Sequence, residues 1–127
     1  MKNEEIHALW QAMQLARNLT GPQKFGFGLA INRRRLQLVV EAVEEQRQEL
    51  LTQHAKLDEV GQRQVDAEGN VMLRDAEAWR RDWAELMALD SKVELHRIAL
   101  ADWPSAMPAA LADALLPLLP DDEQGLG

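Results

Sequence analysis

Residues 29–57 read LAINRRRLQLVVEAVEEQRQELLTQHAKL, and within them Leu29, Leu36, Val43, Leu50 and Leu57 recur every seven positions with no Gly or Pro between them. An apolar residue at every seventh place on an uninterrupted segment predicts one long helix with a continuous seam. At about 1.5 Å per residue, a helix from roughly Gln23 to Leu57 is about 50 Å long. A compact globule of this length is only about 36 Å across, for a radius of gyration of about 14 Å. Such a helix either projects or pairs with something. The companion positions Asn32, Val39, Gln46 and Gln53, or Arg33, Val40, Arg47 and His54, are mostly polar. The second ridge of a two-stranded coiled coil is therefore largely missing, and the seam is expected as the spine of a helical pair, and of an oligomer, rather than as a free rod.

Outward from this helix, Ile6, Leu9, Trp10, Met13 and Ala16 fall at helical spacing over Asn3 to Leu19, with Asn3 as the expected N-cap and Gly21-Pro22 as the stop. Between the two helices, Lys24-Phe25-Gly26-Phe27-Gly28 is ambiguous: its glycines weaken a helix, and its two Phe side chains could pack as a loop against the first helix. Beyond Leu57, Gly61 and Gly69 punctuate short polar and β-branched pieces, and Val65 and Val71 to Leu73 read as short strands around a turn. No internal repeat or low-complexity tract is evident. Asp75 is an expected N-cap, after which Ala76, Trp79, Trp83, Leu86 and Val93 share a stripe interrupted at Asp90. The connection of about 17 residues before this second long-helix partner is too long for a plain helical hairpin, so a small β element is expected at its tip. Residues 92–103 fit a strand by their alternation, and a helix continuing to Ala101 fits as well. Pro108 suits the first turn of a short helix carrying Leu111, Leu115 and Leu116. Pro117, Pro120 and Asp121-Asp122-Glu123 mark a loose tail.

The expected fold is thus mainly α: a long antiparallel helical pair with a small β element at the connection, plus short N- and C-terminal helices. It forms a single helical domain over 1–120 with a flexible acidic tail over 121–127. The 127 residues suffice for one domain burying about two-thirds of its unfolded surface. The chain has no Cys, so disulfides, thiolate metal sites and thiol nucleophiles are excluded. MKNEEIHALWQAMQ lacks the basic start and apolar run of a signal peptide, and no stretch approaches the roughly 20 apolar residues of a membrane span. A cytoplasmic protein is expected.

The net charge of −7 argues against general nucleic-acid binding, yet it is unevenly placed. Residues 21–40 hold Lys24, Arg33, Arg34 and Arg35 with no acid, whereas residues 41–90 hold thirteen acids against six bases. The basic run is a candidate phosphate or acidic-partner site, although consecutive arginines fan over about 200° of a helix and can equally pair with acids of this chain or of a second copy. Glu41, Glu45 and Glu49 share an i,i+4 face, as in magnesium-dependent nucleotide hydrolases, but no second acidic motif follows on a facing helix. A solvated flank explains them better. His7 stands without a His or acid at i+4, while His54 with Asp58 and Glu94 with His96 each make only two ligands, so no metal or cofactor is expected. Trp79 and Trp83, with Trp10 and Trp103 elsewhere, supply bulk to a core with few other aromatics, or else a binding groove. No nucleophile elbow, phosphate-binding glycine loop or zinc signature is present.

Val65-Asp66-Ala67-Glu68-Gly69-Asn70-Val71, Glu85-Leu86 and Val93-Glu94-Leu95-His96-Arg97-Ile98, set behind a long helix that opens on a basic run, resemble small helical proteins of unknown function encoded by bacteriophages and prophages. The resemblance spans about Leu9 to Trp103 and implies phage origin, without catalytic residues to carry over. The expectation is a non-enzymatic protein of a bacterial host's cytoplasm that binds a host or phage protein as adaptor or inhibitor and self-associates, first as a dimer. Its seam is expected at Leu29, Leu36, Val43, Leu50, Leu57, Trp79, Trp83 and Leu86. A nucleic-acid or nucleotide binder using Lys24 and Arg33 to Arg35 is the alternative from a second class, and a magnesium-dependent hydrolase from a third.

Overall fold

A computed structural model describes residues 1–124, and it is mainly helical with no sheet among them. Helices α1 (Asn3–Ala16), α2 (Gln23–His54), α3 (Ala76–Ala88), α4 (Ala109–Ala114) and α5 (Asp121–Gln124) are joined by irregular segments and two 3₁₀ turns, Leu100–Asp102 and Leu116–Leu118. None of these helices is long and apolar enough to cross a membrane. The chain divides into two compact units, Met1–Val40 with Asp90–Gly127, and Glu41–Leu89; α2 runs from the first into the second. Of the tail expected over 121–127, Asp121–Gln124 form one helical turn whose Glu123 carboxylate accepts from the Leu100 N–H, and residues 125–127 lie outside the described residues.

The first unit is built on the apolar face of α1. Ile6, Leu9, Met13 and Ala16 bury against Phe25, Leu29 and Leu36 of α2, and Ile98, Trp103, Leu115 and Leu118 close the core. Here α2 departs from the ambiguous reading of Lys24 to Gly28, because the helix begins at Gln23 and takes both glycines into it. Packing offsets their weak propensity: Phe25 is buried with its ring edge-on to Trp103, at 6.0 Å between centroids. Gly28 lies so close to Ile98 that a Cβ there would fall 2.6 Å from Ile98 Cδ1. Asn3 is not the N-cap of α1. It is buried, and its Oδ1 accepts from Ser91 Oγ at 2.6 Å, while Lys2 caps the helix and its N–H donates to Glu5 Oε1.

Residues 92–99 form neither strand nor helix. Their backbone is satisfied by unlike partners, which prevents a ladder. Asn32, fully buried on α2, donates through Nδ2 to the His96 carbonyl at 2.9 Å and accepts the His96 N–H through Oδ1 at 2.7 Å. Arg35 donates to the Glu94 carbonyl at 2.9 Å, and the Ile98 N–H donates to the Leu118 carbonyl at 2.7 Å. Pro108 stands immediately before α4 as its N-cap.

In the second unit α2 ends at His54, so Leu57 lies past the helix and is 51% exposed rather than closing the seam; Leu29, Leu36, Val43 and Leu50 are buried. No Gly or Pro stops the helix. Tertiary bonding does, since Ala55 bridges Leu73 in antiparallel fashion, Leu57 bridges Arg63, and Val65 bridges Val71. Three backbone bonds close a ring, from the Lys56 N–H to the Met72 carbonyl (2.8 Å), from Gln64 to Lys56 (2.8 Å) and from Met72 to Gln64 (2.9 Å). Each three-residue segment bridges one neighbour with its first residue and the other with its last, so every bridge stays isolated.

The ring members are eight residues apart, and an eight-residue repeat lies behind them: Leu57-Asp58-Glu59-Val60-Gly61-Gln62-Arg63-Gln64, then Val65-Asp66-Ala67-Glu68-Gly69-Asn70-Val71-Met72. In each copy the Asp Oδ1 accepts from the N–H groups two and four residues on, at 2.9–3.0 Å. In each copy, too, the Gly takes a positive φ, 83° at Gly61 and 84° at Gly69, which side chains with a Cβ resist. Asp75 caps α3 as expected, its Oδ1 accepting from Glu77 and Ala78, but α3 stops at Ala88, short of Val93.

Candidate functional site

Two places gather the residues that the sequence singles out, one in each unit. In the second unit α3 carries the tryptophan pair. Their i,i+4 spacing stacks the rings, with centroids 5.8 Å apart and planes 14° from parallel. Neither ring is buried, and no residue of α3 is, although Trp79, Trp83, Leu86 and Met87 are all half-covered. A cavity of about 240 Å³ lies beside this helix, lined by Gln46 and Leu50 of α2 and by Asp82, Glu85, Leu86 and Leu89.

At the edge of the same place His54 Nε2 lies 2.7 Å from Asp82 Oδ2. The hydrogen bond from His54 is the main reason the Asp82 carboxyl sits below its ordinary value; partial burial opposes this and the Arg81 guanidinium assists it. The pairing is not legible from spacing, because Asp82 is 28 residues from His54 on another helix. The pair orients an imidazole, but nothing beside it completes a catalytic set. Glu41, Glu45 and Glu49 are exposed on α2, and among the described residues no three or more His, Asp or Glu side chains converge as metal ligands.

In the first unit the basic run does not make one patch. Lys24 and Arg34 are exposed, Arg35 is engaged by the Glu94 carbonyl, and only Arg33 turns partly inward. Arg33 meets a residue that the sequence reading passed over: Arg17, at the end of α1, lines the same small cavity. The signal was present, because no acid stands between Glu5 and Glu41 and the first Lys or Arg of that stretch is Arg17.

No family model, no curated protein and no solved structure matches this chain.

Proposed function

We propose that the chain is a non-enzymatic binding protein, of the phage-encoded kind its sequence resembles, which works in a bacterial cytoplasm by docking on protein through α3. The observation that carries this reading is the exposure of α3. A helix of 13 residues in a self-sufficient unit sinks one stripe into a core, whereas α3 leaves two stacked tryptophans and Leu86 half-covered. Tryptophan is prominent among the residues that anchor protein interfaces. The first partner is a second copy of the chain, and a host or phage protein uses or displaces that contact.

Antiparallel pairing of α2 with α3 belongs to this reading. It is supported by the His54–Asp82 bond and by the cavity where Gln46 and Leu50 face Leu86 and Leu89. A small β element at the connection is supported by the closed ring through Lys56, Gln64 and Met72. Sedimentation of the wild type at micromolar concentration is expected to give a dimer, and the Trp79→Ala, Trp83→Ala double variant a folded monomer that also captures less protein from a bacterial lysate. A wild-type monomer whose captured proteins are indifferent to both substitutions would remove the proposal.

A further inference from the structure

We propose that the cavity between the end of α1 and the start of α2 is an oxyanion site that takes phosphate, free or as the terminal group of a nucleotide, and that Arg17 and Arg33 are its ligands. This is a separate site from the α3 face and does not rest on the reading of that face. The cavity has a volume of about 90 Å³ and is lined by Arg17, Gly21, Pro22, Phe25, Gly26 and Arg33 among others. A single water needs only about 10–15 Å³. The space therefore admits a group larger than one solvent molecule.

The polar balance of its walls says which group. The Nε of Arg33 is buried and has no hydrogen-bond partner. A buried charged N–H with no acceptor is unfavourable, and because Arg33 also lines the cavity, an anion bound there offers its guanidinium the partner the fold withholds. The chain offers no carboxylate for the purpose: residues 17–40 contain five basic residues and no acid, and neither Arg17 nor Arg33 has an ion pair among the described residues. Among the described residues the Arg17 guanidinium donates only to Gln14 Oε1, at 3.3 Å, a neutral acceptor on its own helix. Two guanidinium groups around one small cavity suit the several oxygens of a phosphate, which accept paired N–H donors.

The test is calorimetric titration of the full chain with inorganic phosphate and, separately, with AMP and ADP, at constant ionic strength made up with chloride. Saturable phosphate binding is expected, weakened at least tenfold by Arg33→Met or Arg17→Met and unchanged by Arg34→Met on the exposed side. Arg17→Met, at an exposed position, serves if the Arg33 variant fails to fold. Nucleotide binding at least tenfold tighter than phosphate assigns the site to a nucleotide, and equal affinity assigns it to free phosphate. No saturable binding of any of the three, or binding that survives both Arg33→Met and Arg17→Met, overturns the site.

Discussion

Asn32 occupies a companion position of the sevenfold pattern, where a polar residue reads as helix surface, and it is instead fully buried. Its amide does what an adjacent strand would do for His96, giving one donor and one acceptor to the same residue. Replacement by leucine keeps the branched shape, though not the volume, and strands both backbone groups of His96 away from water. Each buried group left unpaired costs about 1–3 kcal/mol, so Asn32→Leu is expected to lower unfolding stability by about 2–4 kcal/mol in denaturant titration. A loss under about 1 kcal/mol, on the same scale, would mean that water reaches His96 and that the bracket matters little. The residue type alone does not disclose such a role, because what fixes it is a partner 64 positions away. His54 makes the same point, since its acid is on another helix. Asp75 is the opposite case: a cap is local chemistry, and its two backbone bonds were legible from Asp followed by a periodic helix.

At the scale of elements, α1, α2, α3 and α4 are legible where apolar period and cap agree, and their ends are not where a distant partner decides them. The end of α2 is set by bridging of Ala55 to Leu73, and the turns around Asp58 and Asp66 repeat only Asp and Gly at fixed places. Such a repeat is faint in composition and clear only once its hydrogen bonds coincide. The irregular run 92–99 stayed undecided because alternation promised a strand while the available partners were a side chain and a 3₁₀ turn. The contact of α2 with α3 at His54 and Asp82 makes a prediction with a definite sign. Asp82 titrates below its ordinary 3.8 in the folded protein, so the native state binds fewer protons than the unfolded chain around that pH. The resulting stabilisation is present above 3.8 and lost as pH falls through the lowered value. Acid titration followed by circular dichroism should therefore show the wild type losing stability below about pH 4 more steeply than Asp82→Asn. Parallel curves for the two proteins would detach the pair from the stability of the helices.

For the whole molecule, the uneven core decides what each unit can do. The first unit concentrates its buried apolar residues in one cluster, from Ile6 and Phe25 to Leu118 and Leu119. The second buries only Val43, Leu50, Leu51 and Ala55, and none of α3. Local stability follows buried contact, so one continuous helix, α2, is expected to be protected unequally along its length. In hydrogen exchange read by mass spectrometry, amides of residues 29–36 should exchange more slowly than those of residues 44–51, although both stretches carry the same helical bonding. The seam residues sharpen the expectation: Leu29 and Leu36 are supported by α1 and Ile98, whereas Val43 and Leu50 have a thinner cover. If a second copy covers Trp79 and Trp83, protection of residues 44–51 and 79–86 should rise with protein concentration while that of residues 29–36 stays constant, because association stabilises only what it touches. Uniform protection along α2, unchanged over a hundredfold range of concentration, would show that the second unit stands on its own bonds, and the half-covered tryptophans would then need a partner other than a second copy.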